Sequence, residues 1–274
     1  MPPTPEPPTP EPPTPATLLC DHPLEHVLRV TLNRPQAANA LNTQMGRELL
    51  SLFSGLLLDT QDLRAIILTG AGEKAFCAGG DLRERAGMSD DAWRKQHAIF
   101  EQAYYAVMDC PVPVIAAVNG AAYGGGCELA LAADFIHAST SARFALTETR
   151  LGIIPGAGGT QNLPRAVGAR RAKELVMSAS PFTAEDAEGW GMVNRLWEPG
   201  ALMPGVLGLA GAIAANGPLA VRQAKRAISL GVEVDLKTGL AIEVEAYNRT
   251  VPSEDRREGV LAFNEKRQPQ FQGR

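Results

Sequence analysis

Two acidic residues, Glu128 and Glu148, stand where a pair of carboxylates could do acid–base work. Each has glycines beside it: Gly124, Gly125 and Gly126 before the first, Gly156, Gly158 and Gly159 after the second. Glycines where a strand meets a helix let backbone N–H groups approach a ligand closely. One carboxylate can then take a proton from a nucleophile while another delivers one. Singly, each has a plainer reading. A glutamate in a helix's first turn stabilises the dipole by ~0.3–1 kcal/mol and needs no other purpose. Glu148, between Thr147 and Thr149, would pass for a surface residue. With glycine turns and apolar neighbours around both, the two read as one working site.

Other chemistries lack their markers. His22, His26, His97 and His137 are scattered, and no pair has metal-ligand spacing, so no metal site is expected. There is no G-x-S-x-G elbow and no G-x-x-x-x-G-K-[ST] phosphate loop. Gly70-Ala71-Gly72-Glu73-Lys74-Ala75 fits a dinucleotide fingerprint, but the Phe76–Gly80 stretch after it is poor helix, which argues against nicotinamide binding. Cys20, Cys77, Cys110 and Cys127 include no C-x-x-C, and Cys77 and Cys127 read as small buried side chains. No apolar signal-like segment precedes them, so the expectation is a reduced, cytoplasmic protein.

The elements that must position the glutamates follow from pattern. Val114 to Val118 reads as a buried strand ending at Asn119-Gly120, and the glycines after it open a helix carrying Glu128. His26 to Leu32 alternates like a half-buried strand. Asn42 can cap a helix to about Leu58, with Met45, Leu49, Leu52 and Leu56 on one face. Ala65 to Thr69 is a short apolar strand, and Ser89-Asp90-Asp91 starts a helix reaching about Asp109. Thr183 to Asp186 suits a capping arrangement, and Val193 to Trp197 a last strand. Glycine clusters recur at Gly79-Gly80, Gly124 to Gly126 and Gly156 to Gly159, as in a coil of strand–strand–helix units. From Ala201 the chain reads helical, broken at Asn216-Gly217-Pro218 and Val251-Pro252.

The 274 residues, 45% hydrophobic and with a formal net charge of −4, suit one large globular domain, or one domain with a small appendage. That charge argues against general nucleic-acid binding, and no apolar run reaches the ~18 residues of a membrane helix. Pro3 to Pro15 repeats PTPEP and is expected as a solvated tail. The expected division is a tail at 1–17, a folded core at 18–200 and a helical section at 201–274.

Several separated stretches resemble one family. Lys74-Ala75-Phe76-Cys77-Ala78-Gly79-Gly80-Asp81-Leu82, Ala116 to Ala130 and Leu151 to Gln161 are similar to the signatures of the enoyl-CoA hydratase/isomerase (crotonase) superfamily. Asp255 to Gly259 and Phe263 to Arg267 look like its last helix. The likeness runs from about Leu18 to Arg267. It implies an α/β spiral of ββα units with a helical C-terminal region that builds trimers or dimers of trimers.

The resemblance also implies a chemistry. The substrate would be an acyl-CoA thioester of fatty-acid or branched-chain amino-acid breakdown, with coenzyme A part of the substrate and no separate cofactor. The N–H groups of Ala78 and Gly125 would hold the thioester oxygen. Glu128 would orient and deprotonate a water, and Glu148 would protonate the α-carbon; the rival assignment has both glutamates sharing one water. Lys74, Gly79, Gly80, Asp81 and Leu82 would line the substrate site, with Phe263 and Lys266 reaching CoA from a neighbouring subunit. The alternatives are an isomerase or another acyl-CoA reaction of this family, or a non-catalytic RNA- or protein-binding scaffold.

Asp81 to Ala86, Leu163 to Gly168 and Val232 to Glu243 further resemble the methylglutaconyl-CoA hydratase branch. An extra substrate carboxylate would want a cation near the acyl end, and Arg150 is the candidate.

Overall fold

The computed structural model describes residues 16–274, so the PTPEP repeat lies outside the described residues. Thr17, expected in the tail, is buried, and its hydroxyl donates to Glu48 Oε2 at 2.6 Å. Two antiparallel strands, β1 (Leu18–Leu24) and β2 (Val27–Leu32), begin the fold. Helix α1 (Thr43–Leu58) follows, capped by Asn42, whose side chain accepts from the Met45 N–H at 2.9 Å. Such a cap stabilises by about 1 kcal/mol. Asn42→Ala is therefore expected to lower the melting temperature by about 2–4 °C, and an unchanged melting curve would show the cap idle.

The chain then coils. Strand β3 (Ala65–Gly70) leads to β4 (Ala75–Cys77), followed by the short helix α2 (Leu82–Arg85) and by α3 (Asp90–Met108), capped by Ser89. A strand, not a helix, thus follows the Gly70-x-Gly72 turn. The second circuit is β5 (Val114–Val118), β6 (Ala121–Tyr123) and α4 (Gly125–Leu131). The third is β7 (Phe135–Ser139) and β8 (Arg143–Ala145), a one-turn 3₁₀ segment Glu148–Leu151, then α5 (Gly159–Val167) and α6 (Ala169–Ser178).

Each circuit gives one strand to each of two sheets. The larger has the order β1-β2-β3-β5-β7, parallel from β2 onward, and the smaller runs β4-β6-β8 in parallel. Strand β9 (Phe182–Thr183) then closes the small sheet antiparallel to β8. Helix α7 (Ala184–Gly189) starts in a Thr183/Asp186 capping box, and β10 (Arg195–Trp197) closes the large sheet. This is the ββα spiral expected from the resemblance.

Strand β3 is buried along its whole length because both faces of the large sheet are covered. Ile66 and Leu68 face the main core with Phe53 and Phe100, while Ala65 and Ile67 pack under helix α8 (Leu202–Ala214). Helices α9 (Pro218–Gly231), α10 (Leu236–Thr250) and α11 (Glu254–Glu265) finish the chain. The 232–235 break between α9 and α10 is an addition to the two expected. Asp235 caps α10 there by accepting from the Thr238 N–H. Among the described residues, no single helix is long and apolar enough to cross a membrane.

Candidate active site

The three glycine turns of the spiral meet on one side, around a cavity of about 680 Å³. Ala78, Gly79, Gly80 and Leu82 come from the first turn, and Gly124, Gly125 and Glu128 from the second. Thr147, Glu148, Gly156 and Ala157 come from the third. Helix α3 closes the wall with Trp93, His97, Phe100 and Tyr104.

Both glutamates are held as buried side chains. Glu128 Oε1 accepts from the N–H groups of Ala157 and Gly159, each at 2.8 Å. Burial raises its pKa, and those two donors and the nearby His97 moderate the rise. Glu148 Oε2 has no hydrogen-bond partner. Burial, and then the charge of Glu128, push its pKa up to about 7, against the pull of Arg85. The two environments differ in kind: the carboxylate with backbone donors ionises first, and its neighbour keeps a proton.

Gly124 and Gly126 are required where they stand. Gly124 has φ 52°, and a Cβ there would lie 3.1 Å from Glu148 Oε1. A Cβ on Gly126 would collide with the Cys77 carbonyl, so only glycine lets the first and second turns close up. Tyr104 fixes the start of α4, its hydroxyl donating to the Gly125 carbonyl at 2.7 Å.

The backbone donors differ from expectation at one place. The Ala78 N–H donates to the Ala38 carbonyl at 3.0 Å, so it is already spent. Ala38 and Asn39 adopt positive φ, and the buried Asn39 amide donates to the Ala71 and Ala75 carbonyls, which seats this loop against the first turn. The N–H groups of Gly80 and Gly125 have no acceptor among the described residues. Two unspent amides at adjoining turns, with two carboxylates facing the same space, can hold an oxyanion while protons move beside it. Of the two residues at the first turn, the expected Ala78 has its N–H engaged and Gly80 has the unspent one.

The other expected residues divide. Gly79, Gly80, Leu82 and Gly125 line the cavity, but Lys74 and Asp81 do not. Lys74 sits exposed on the turn before β4. Asp81 pairs with Arg34 at 2.8 Å and caps α2, which holds its carboxyl below the usual range even though burial opposes this. Phe263 and Lys266 lie at the exposed end of α11 and do not reach this chain's cavity. Arg150 is exposed and also outside it, whereas Arg85 lines the wall. Tyr104, Trp93, His97 and Phe100 were not foreseen, although their spacing puts them on one helix face. Among the described residues no three His, Cys, Asp or Glu side chains cluster as a metal's ligands would. Cys77 and Cys127 are buried thiols with raised pKa values, Cys77 to about 12, as fits their packing reading.

The family model for enoyl-CoA hydratase/isomerase matches residues 24–274. The chain belongs to that family. Among its relatives, a short-chain-enoyl-CoA hydratase of Clostridium acetobutylicum is 43% identical over 238 residues, 87% of this chain and 91% of that protein. The human mitochondrial methylglutaconyl-CoA hydratase is 43% identical over 246 residues, 88% of this chain and 72% of that protein. The crystal structure of an enoyl-CoA hydratase from Bacillus anthracis matches with a TM-score of 0.92 and 46% identity, covering 94% of this chain and 100% of that one. The family's spiral is thus the fold of this chain, and the cavity between its glycine turns is the place to seek its chemistry.

Proposed function

We propose that this protein is an enoyl-CoA hydratase, adding water reversibly across the double bond of a trans-2-enoyl-CoA. The observation that carries the reading is the pairing of Glu128 and Glu148 beside two unspent backbone donors. The Gly80 and Gly125 N–H groups hold the thioester oxygen. Glu128, the readier of the two to ionise, takes a proton from water as its oxygen bonds to C3. The electron pair of the double bond moves onto the thioester oxygen as an enolate, stabilised by those N–H groups. Glu148, protonated up to about pH 7, delivers a proton to C2. Product release and proton exchange with solvent restore the pair.

Exposed apolar residues and unpaired cysteines support two further assignments. Helices α9 and α10 leave Ile228, Leu236, Val244 and Tyr247 each more than half exposed, an apolar surface suited to a trimer or a dimer of trimers. In that assembly Phe263 and Lys266 would meet the CoA of a neighbouring subunit. Four unpaired cysteines agree with a reducing cytoplasm.

The test is loss of the conjugated thioester absorbance of crotonyl-CoA, with the product identified by mass, across pH 5 to 9. Hydration needs Glu148 protonated, so kcat/KM should fall as pH rises through about 7, approaching tenfold per unit above it. It should also fall on the acid side, as Glu128 gains a proton. A rate flat from pH 6 to 9 would remove Glu148 as the acid. An unhydrated, shifted double bond would make the protein an isomerase.

A further inference from the structure

Tyr104 is a buried phenol in the cavity wall, yet no step of the hydration uses it. Helix α3 carries its hydroxyl to the seam where the first and second turns adjoin. A Cβ on Gly125 would lie 3.2 Å from that hydroxyl, 3.5 Å from Leu41 Cδ1 and 3.7 Å from the Gly79 Cα. A Cβ on Gly79 would in turn lie 3.1 Å from the Gly125 nitrogen. Burial pushes the pKa of the phenol well above its ordinary value, and Cys77, Glu128 and Glu148 add to the rise against the pull of Arg85. The group therefore keeps its proton and acts as a donor. That proton is given to the Gly125 carbonyl at 2.7 Å.

The start of α4 needs such a hook. The helix has seven residues, too few to hold a rigid end alone, and its N-cap Gly124 has no side chain to cap it. Gly125 is itself free to turn about φ and ψ. Backbone bonds fix the peptide on its near side. The Gly124 N–H donates to the Ala145 carbonyl at 2.8 Å, and the Gly124 carbonyl accepts from the Cys127 and Glu128 N–H groups at 2.8 and 3.1 Å. Tyr104 fixes the peptide on the far side. It is the one side chain bonded to residues 124–126 among the described residues, so it is the hook that substitution can remove.

We infer that Tyr104 is a positioning residue of the oxyanion site: by holding the Gly125 carbonyl it aims the Gly125 N–H at the thioester oxygen and so sets how strongly the bound enoyl group is polarised. The inference rests on the hydratase reading for the oxygen that this N–H receives. Removing the hydroxyl leaves both carboxylates and the Gly80 N–H in place. The loss is therefore smaller than the ~10²–10³ of a deleted donor. It falls mainly on the transition state, whose oxygen carries more charge than that of the bound substrate.

The probe is sorboyl-CoA, a dienoyl thioester whose longer conjugation resists hydration and whose absorbance moves to longer wavelength as its carbonyl is polarised. Tyr104→Phe should bind it with affinity within about threefold of wild type but show about half the wild-type shift or less. On crotonyl-CoA its kcat should fall about 10- to 30-fold with KM within about twofold. With para-aminophenylalanine at 104, which keeps an N–H where the hydroxyl stood, most of the shift should return. If Tyr104→Phe does not fold, para-methylphenylalanine, which fills the space of the hydroxyl without donating, takes its place with the same expectations. A full shift in the variant that lacks a donor would overturn the inference, whatever happens to kcat. So would a para-aminophenylalanine variant no better than that one. Wild type that hydrates crotonyl-CoA without shifting sorboyl-CoA would overturn this inference and leave the hydratase reading standing. Wild type that shifts sorboyl-CoA but hydrates no enoyl-CoA would overturn the hydratase reading alone.

Discussion

Glu128→Gln and Glu148→Gln are each expected to slow crotonyl-CoA hydration by about 10²- to 10⁴-fold, the usual worth of a positioned acid or base, while keeping the fold. The substitutions are mild for structural reasons. Glutamine at 128 keeps an Oε1 that can accept from the Ala157 and Gly159 N–H groups, so the turn before α5 stays docked. What it loses is basicity. Glutamine at 148 replaces a carboxyl that already carries its proton below about pH 7, so it removes a donor of a proton and little else. The effects should not add. Once one carboxylate is gone the concerted path is lost, and the double variant should be little slower than the worse single one. Near-wild-type turnover in either single variant, with the circular dichroism spectrum unchanged, would exclude that residue from the chemistry.

The parts of this site that sequence revealed are those set by local pattern. The strand Val114–Val118, the cap at Asn42, the helix start at Ser89-Asp90-Asp91 and the glycines before Glu128 are short-range features, and each appears where expected. The small sheet was hidden because β4, β6 and β8 have three residues each, too few to show a period of two. That the Ala78 N–H is engaged was hidden for a long-range reason. Whether Ala78 or Gly80 has a free N–H depends on the Ala38 carbonyl, forty residues earlier and turned inward by a positive φ. Arg150 and Arg85 show the same limit. Arg150 is nearer to Glu148 in the chain, yet Arg85 is the one that α3 folds onto the cavity.

Glu148→Gln should also stabilise the protein, and only at neutral to alkaline pH. The Glu148 carboxyl holds its proton to about 7 in the folded chain, against 4.5 as its ordinary value. Below 4.5 both folded and unfolded chains are protonated there, and the residue makes no pH-dependent difference. Between 4.5 and 7 the unfolded chain ionises freely while the native one does not, so native stability falls as pH rises. Above about 7 the native state carries a buried charge beside Glu128, and the loss levels off. At 1.36 kcal/mol per pKa unit, and discounted for water reaching the cavity, the loss is about 2–3 kcal/mol. Glutamine does not ionise, so this loss disappears. Any cost of its unpartnered amide is the same at every pH. The melting temperature of Glu148→Gln relative to wild type should therefore rise by about 4–10 °C between pH 4.5 and pH 8. A constant offset across that range would mean that the carboxyl titrates normally, and it would take the proton-delivery role away with it. A rising one would show that this site is held at the expense of stability, as expected of a carboxyl kept for chemistry.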